Sequence, residues 1–323
     1  MPGWRATLPC SKRTELLAAA VGAAVLGLMS PAFPQTPKPD IVVSDALQPH
    51  SVRTRLHDTK AETSVLSPPG GSSPHGKKIE SGKIDALVGH GVALLEKGDT
   101  ELAIRDFNQA ISLNPRHSGA IWRRAQAHAR VGDFKRAVAD YDLLVRINPN
   151  DAQAYYQRGV AARELRDFDR ALEDFNRVSQ LDAGSPLGYF NRALVLYDMR
   201  RYEHAIRELD RAINVKPDNA PAFNMRGLAY ASIGETRRSL QDIDQAIQID
   251  RNFAGAFVNR ANIHQSARRY EHALADYSAA FELNPKDAYS LYSRGLMLRL
   301  LGQEAAAAAD IAGAKEIEPG IGP

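Results

Sequence analysis

The stretch 254–287, AGAFVNRANIHQSARRYEHALADYSAAFELNPKD, carries a pattern of small and large residues that returns every 34 residues. Stepping by that period from residue 84 gives seven consecutive units with no insertion or deletion. The units span 84–117, 118–151, 152–185, 186–219, 220–253, 254–287 and 288–321. Such a period indicates a repeat architecture, in which one supersecondary unit stacks on the next.

Three columns of the repeat predict that each unit is a pair of helices. Position 8 holds only small residues, which are Gly91, Ala125, Gly159, Ala193, Gly227, Ala261 and Gly295. Position 20 is alanine in six units and Ser239 in the fifth. Position 24 holds larger residues, which are Phe107, Tyr141, Phe175, Leu209, Ile243, Tyr277 and Ile311. Since positions 20, 24 and 27 are one helical turn apart, they share one helix face, and the small residues let a second helix approach it.

Glycine and proline are expected at the ends of these helices. Glycine breaks the chain between the paired helices at Gly98, Gly132, Gly234 and Gly302, all at position 15. Proline at position 32 cannot continue a helix without losing a hydrogen bond, so it predicts the stop. It is found at Pro115, Pro149, Pro217, Pro285 and Pro319. Unit 5 has Arg251 there, and because it also has Ser239 and Ile243 we expect it to be the weakest unit.

These columns resemble the tetratricopeptide repeat family over residues 84–321. The resemblance implies an all-α fold, a right-handed superhelical solenoid of seven antiparallel helix pairs. It also implies that the first helices of successive pairs line a concave groove, into which positions 2, 5, 6, 9, 12 and 13 point. A protein of this kind is expected to bind another protein or an extended peptide.

The groove positions hold aromatic, arginine and amide residues, a combination that suits an extended peptide. Rings provide buried area, amides pair with the peptide backbone, and arginine binds carboxylates. The predicted groove residues are Trp122, Arg123, Arg130, Tyr156, Arg163, Phe190, Asn191, Tyr197, Asn259 and Asn262. The alternative is that several of these rings only fill space between adjacent first helices. The family's carboxylate clamp is not carried over, because only Asn191 and Asn259 fall on its asparagine position, in non-adjacent units.

Arginine at position 7 recurs together with an acid at position 23. The arginines are Arg124, Arg158, Arg192, Arg226, Arg260 and Arg294, and unit 1 has His90 instead. The acids include Asp140, Asp174, Asp242 and Asp276. Because both positions flank the close contact between the helices, we interpret them as a ladder of structural ion pairs, which fixes register more than it adds stability. The alternative is a row of arginines for an anionic ligand.

Residues 1–32 are predicted to be a secretory signal peptide. Basic residues precede the uncharged apolar run Leu16–Met29, and Ser30 and Ala32 are small residues suited to a cleavage site. The apolar run is shorter than the roughly 20 residues of a membrane span. We therefore predict an exported protein, periplasmic or secreted; the alternative is an uncleaved N-terminal anchor.

Residues 33–83 are predicted to be a disordered linker, because prolines are frequent and apolar residues are too few to build a core. The only cysteine, Cys10, lies in the predicted signal, so cleavage leaves no thiol for a disulfide or for catalysis. The formal net charge of +3 over 323 residues gives no argument for nucleic acid or an anionic membrane as partner.

No catalytic motif stands out in the sequence. It has no phosphate-binding glycine loop, no Gly-x-Ser-x-Gly and no His-Glu-x-x-His. His128 and His264 share position 11 but lie four units apart, while His204 and His272 at position 19 are interpreted as helix surface. The prediction is therefore a protein that is not an enzyme and needs no metal or cofactor.

We predict a non-catalytic scaffold that binds a protein or extended peptide in its groove, with no nucleic-acid partner and no membrane insertion after signal cleavage. The alternative is a structural component of envelope assembly that acts through its end faces or by self-association. The alanine-rich second helix of the last unit, from Glu304 to Ala312, is the candidate contact for a homo-oligomer.

Overall fold

The computed structural model describes residues 74–322 of the chain, and the side chains of 81–322. No strand occurs among residues 74–322. The helices in chain order are α1 Pro74–Lys97, α2 Thr100–Leu113, α3 Ser118–Arg130, α4 Phe134–Ile147, α5 Ala152–Glu164, α6 Phe168–Leu181, α7 Leu187–Asp198, α8 Tyr202–Val215, α9 Ala220–Ser232, α10 Thr236–Ile249, α11 Ala254–Ser266, α12 Tyr270–Leu283, α13 Ala288–Leu300 and α14 Glu304–Ile317. Two helices fall in each predicted unit, so the all-α fold of seven helix pairs is confirmed.

These residues form two compact units, one ending at Asn259 and the other beginning at Arg260. Within the first unit, the two helices of each repeat pack together, and every second helix packs on the first helix of the following repeat. Within the second unit, α13 packs against both α12 and α14. Pairs of helices thus stack in the order of the sequence, as expected of repeats that cannot bury their faces alone.

The small residue at position 8 is required by the large residue at position 24. A Cβ atom on Gly159 would lie 2.9 Å from Cε1 of Phe175, and one on Gly91 would lie 2.6 Å from Cε1 of Phe107. Both rings are fully buried. The paired helices therefore approach closely at the glycine, and the ring fills the space beside the contact.

The turn between the two helices of a repeat has a left-handed residue at position 15. Four of these residues are the predicted glycines, such as Gly234 with φ +82°. The other three are arginines, Arg166, Arg200 and Arg268, with φ between +57° and +60°. The repeat therefore imposes the same turn geometry on residues that do not favour it.

Each second helix ends at position 30, whether or not proline follows. Helix α6 ends at Leu181 before Ala183, and α10 ends at Ile249 before Arg251, as α4 ends at Ile147 before Pro149. The next residue is extended in these repeats, for example Asp250 with φ −129° and ψ +99°. Proline marks this stop but is not needed for it.

The first helix begins ten residues earlier than predicted. Residues 74–83, which we assigned to the linker, are the first turns of α1. Pro74 is the first helical residue, a position where the missing amide hydrogen has no helical partner to lose. The predicted signal peptide and the rest of the linker lie outside the described residues.

Candidate functional site

The arginine at position 7 makes a two-point ion pair with the acid at position 23 of its own repeat. Arg158 donates from Nε and Nη2 to the two carboxylate oxygens of Asp174, at 2.9 and 2.6 Å. Arg226 donates in the same way to Asp242, at 2.7 and 2.8 Å. The same pairing joins Arg124 to Asp140, Arg260 to Asp276 and Arg294 to Asp310. Arg192 also donates from Nε and Nη2, but both bonds go to Oε2 of Glu208. Each pair links the first helix of a repeat to the second.

In the first unit the remaining nitrogen of the guanidinium reaches the preceding repeat. Arg158 Nη1 donates to Asp142 at 2.6 Å, and Arg226 Nη1 donates to Asp210 at 2.7 Å. Asn108 and Asn176 accept from Arg124 and Arg192 in the same way. All four acceptors occupy position 25, a column we did not single out, although its polar residues recur with the 34-residue period.

The arginines of this column are enclosed rather than open to a ligand. The guanidinium of Arg158 lies over the ring of Tyr155 at 5.3 Å, and that of Arg226 lies over Phe223 at 5.3 Å. The pKa of Arg226 is raised, chiefly by its hydrogen bond to Asp242, so the group stays charged. Because Nε, Nη1 and Nη2 of Arg226 already donate to carboxylates, little capacity is left for an anionic ligand.

Repeat 2 presents the accessible part of the predicted groove. Arg123 and Arg130 are exposed on α3, and Trp122 is half-buried beside them, with its ring edge-on to Tyr141 at 5.7 Å between centroids. Arg123 donates to Gln126 at 3.4 Å, and Arg130 donates to the carbonyl of Leu95 at 2.9 Å. We call Trp122, Arg123, Gln126 and Arg130 the repeat-2 face.

Phe190 and Asn191 do not lie open to a ligand, which corrects their predicted role. Phe190 is 1% exposed and Asn191 is 6% exposed. Asn191 donates to the carbonyl of Leu187 at 2.9 Å and shares a hydrogen bond with the hydroxyl of Tyr156. The residues around them on α7, including Leu187 and Leu194, are buried as well. In repeat 4, the ring at position 5 thus packs between adjacent first helices. This agrees with the alternative that some of the predicted groove rings only fill space there.

Tyr156 is half-buried and contributes to the same packing. Its ring is edge-on to Phe175 at 6.1 Å between centroids. Burial raises the pKa of its hydroxyl, and the hydrogen bond with Asn191 opposes that rise only in part. Tyr156 therefore joins α5 to the next repeat, and only part of its side chain remains accessible.

Three other predicted groove residues link first helices of consecutive repeats. Arg163 donates to Asp198 at 2.6 Å, the hydroxyl of Tyr197 lies 3.2 Å from that of Ser232, and Asn259 donates to Asn224 at 3.0 Å. Each pair is 35 residues apart, one repeat plus one residue. Part of the hydrogen-bonding capacity of these side chains is therefore already used within the protein.

In the second unit, Asn262 accepts hydrogen bonds from two phenols. Its Oδ1 lies 2.5 Å from the hydroxyl of Tyr277 and 3.0 Å from that of Tyr289. Tyr277 is fully buried, and its hydroxyl oxygen also lies 2.7 Å from Oε1 of Gln265, so the two amide oxygens share its one hydrogen. Asn262 thus satisfies a buried tyrosine, a role that the sequence did not indicate.

A cavity of about 450 Å³ lies beside the ion pair of repeat 2. It is lined by Ile104, Asn108, Arg124, His128, Arg136, Ala139 and Asp140. His128 is 6% exposed, and burial lowers its pKa below the ordinary value of 6.5. The imidazole is therefore neutral at pH 7 and adds no charge to this site.

Neither a three-ligand metal centre nor a membrane-spanning helix is found in the described region. Within residues 74–322 there is no group of three or more histidine, cysteine or acidic side chains arranged to hold a metal ion. In the same part of the chain, no helix combines the length and the apolar character needed to cross a bilayer.

Family models described as tetratricopeptide repeat match most of the chain. One matches residues 88–152, 123–186 and 258–320. Two others match residues 186–219 and 220–253, which are the bounds of the predicted fourth and fifth units. Together the matches extend over 88–253 and 258–320, more than half of the 323 residues.

Solved structures share the fold at low sequence identity. A tetratricopeptide repeat protein from Parabacteroides merdae has a TM-score of 0.60 and 17% identity, over 73% of this chain and 93% of that chain. Yeast Tom70 has a TM-score of 0.58 and 18% identity, over 75% of this chain and 51% of that chain. At such identities the similarity shows the fold alone. No curated protein matches the chain.

Proposed function

Because the chain belongs to the tetratricopeptide repeat family, we propose that it is a non-catalytic scaffold that binds an extended segment of another protein. Family membership supports a role in protein interaction in general. The surface that makes the contact is the finer part of the proposal, and it rests on the side chains that remain accessible.

The repeat-2 face is the observation that carries this proposal. Arg123 and Arg130 lie exposed on α3, and the half-buried Trp122 directly precedes Arg123. Large aromatic rings and arginines dominate binding energy at protein interfaces, and arginine grips carboxylates with paired hydrogen bonds. Gln126 adds an amide that can pair with a peptide backbone. This set suits a segment that places an apolar side chain beside a carboxylate.

Several predicted groove residues outside repeat 2 are buried or hydrogen-bonded within the protein, so we place the proposed contact at repeat 2. The corresponding residues of repeat 4, Phe190 and Asn191, are buried, and Arg163 is paired with Asp198. A ligand at those residues would have to displace existing hydrogen bonds and packing. At the repeat-2 face a ligand has to replace only the exposed hydrogen bonds of Arg123 to Gln126 and of Arg130 to the carbonyl of Leu95, and it disturbs no buried side chain, so less of the free energy of binding is lost there.

Peptide selection followed by fluorescence titration tests the proposal. Display selection against the purified protein supplies peptides, and Trp122, the one tryptophan besides Trp4, reports their binding. We expect the double variant Arg123→Ala and Arg130→Ala to weaken binding at least tenfold, as loss of two charge-assisted contacts implies. Arg207→Ala, which removes an exposed arginine of α8, is the matched control and should leave binding unchanged. Equal binding by the double variant would reject the repeat-2 face and favour assembly through other surfaces.

We also propose that the protein is exported. The support is the basic, apolar and small-residue pattern of residues 1–32. Mass spectrometry of the protein from the periplasmic fraction should find Phe33 at the N-terminus. A chain that retains residues 1–32 and sediments with membranes would instead indicate an anchor.

A further inference from the structure

Two histidines face each other in repeat 6, in the second compact unit. His264 lies in the last turn of α11 and His272 near the start of α12, eight residues later. Their ring centroids are 5.1 Å apart, and the ring planes are inclined by 38°. His272 is exposed and His264 is half-buried. The pair therefore sits at the surface, across the turn that joins the two helices.

One ring nitrogen of His264 is unsatisfied within the part of the chain that the structure describes. Its Nδ1 is buried and has no hydrogen-bond partner among the described residues. Burial also lowers the pKa of His264, and the negative charge of Asp276 opposes that shift. The nearby cationic groups of Arg269 and Arg260, together with His272, lower the pKa further. The ring is therefore neutral at pH 7, the form of imidazole that binds metals. A buried lone pair without a partner costs free energy that a bound cation would recover.

We propose that His264 and His272 together bind a zinc ion. At a Zn–N distance of about 2.0–2.1 Å, an imidazole centroid lies about 3.2 Å from the ion, and two rings at the tetrahedral angle have centroids about 5.2 Å apart. The observed centroid separation of 5.1 Å is compatible with two rings that share one ion. Imidazole is a preferred ligand of zinc, whereas calcium and magnesium prefer oxygen.

Water completes the coordination shell in this proposal. No group of three ligating side chains occurs in the described residues. The nearby Asp276 already accepts two hydrogen bonds from Arg260, at 2.9 and 2.6 Å. The site is thus a two-histidine clamp that ties α11 to α12, with positions left open for water.

Repeat 4 provides a matched control within the same chain. Its turn, Arg200–Ala205, has the same six residues as Arg268–Ala273 of repeat 6, including a histidine at position 19. Position 11 of repeat 4 is Leu196, where repeat 6 has His264. His204 therefore has the same sequence neighbours as His272, but position 11 of its repeat supplies no imidazole.

Calorimetric titration of the full chain with zinc chloride, on protein made without a polyhistidine tag, tests the proposal. We expect one site that His272→Ala weakens at least tenfold, while His204→Ala leaves its affinity unchanged. His272 is exposed, so its replacement should not disturb the fold; His264→Gln is a second variant that should lose the site.

Cobalt(II) gives an independent measurement, because replacement of water by two imidazoles changes its visible absorption from that of the hydrated ion. Wild-type protein should show this change, and His272→Ala should not. Failure of the wild-type protein to bind zinc, or undiminished binding by both His272→Ala and His264→Gln, would overturn the proposal. Peptide binding at the repeat-2 face is a separate measurement and is unaffected by either result.

Discussion

Arg158 and Asp142 join two consecutive repeats through a hydrogen bond of 2.6 Å. The same guanidinium holds Asp174 of its own repeat with its other nitrogens. One side chain thus fixes the two helices of repeat 3 and the second helix of repeat 2 at once. Because Asp174 is buried and Asp142 is partly exposed, the two acids are expected to respond differently when the arginine or its partner is removed.

We expect Arg158→Ala to lower the free energy of unfolding by about 3–5 kcal/mol, because it leaves the buried carboxylate of Asp174 unpaired. Asp142→Ala should cost only about 0.5–1 kcal/mol, since Asp142 is partly exposed and the pair with Asp174 remains. Urea denaturation followed by circular dichroism measures both values. Equal losses would show that the contact between repeats, rather than the buried pair, dominates.

Arg192 belongs to the ladder of structural ion pairs, so its replacement should affect stability and not ligand binding. Arg192→Ala should lower the melting temperature and leave peptide affinity unchanged, because Arg192 is 9% exposed and already bonded to Glu208 and Asn176. Thermal melting and the fluorescence titration are run on the same preparation. A large loss of affinity in a variant of wild-type stability would favour the anionic-ligand interpretation.

Arg268 occupies a backbone conformation that glycine adopts more readily. Its φ is +57°, and Gly302 holds the corresponding turn of the next repeat at φ +77°. We expect Arg268→Gly to raise the free energy of unfolding by about 0.5–1 kcal/mol, since relief of left-handed strain outweighs the entropy of glycine. Gly302→Ala should act in the opposite direction. Urea midpoints of both variants decide the sign, and a destabilised Arg268→Gly would contradict the strain argument.

Ser239 places a hydroxyl in the buried column that is otherwise alanine. The residue is 0% exposed, and its Oγ has no hydrogen-bond partner among residues 81–322. Ser239→Ala is expected to stabilise the protein by about 1 kcal/mol, because it removes an unsatisfied buried group without leaving a large cavity. Ser179→Ala is the control, since that hydroxyl donates to the carbonyl of Phe175 at 3.1 Å, and its loss should not stabilise. A lower melting temperature for Ser239→Ala would show that the hydroxyl is satisfied in solution.

Residues that repeat were predictable from the sequence, and residues that vary were not. The contact of Gly159 with Phe175 follows from residue size and period alone. The burial of Phe190 does not, because position 5 holds a half-buried Trp122 two repeats earlier. The solvent exposure of a ring at position 5 depends on how closely adjacent first helices pack. The residues found at one repeat position do not indicate that packing distance. The pairing of His264 with His272 was missed for a related reason, since comparing columns between repeats overlooks neighbours within one repeat.

Histidine at position 11 is expected to make stability fall in mild acid. Burial lowers the pKa of His128 from 6.5, and also that of His264. Below pH 6.5 the unfolded chain therefore binds more protons than the folded one, so the free energy of unfolding decreases until the lowered pKa is reached. His128→Leu, which installs the residue found at Leu196 and Leu298, should reduce this pH dependence. Melting temperatures measured in steps from about pH 8 to about pH 5.5, above the range where most carboxylates titrate, test it. Parallel pH profiles for wild type and variant would show that His128 does not carry the effect.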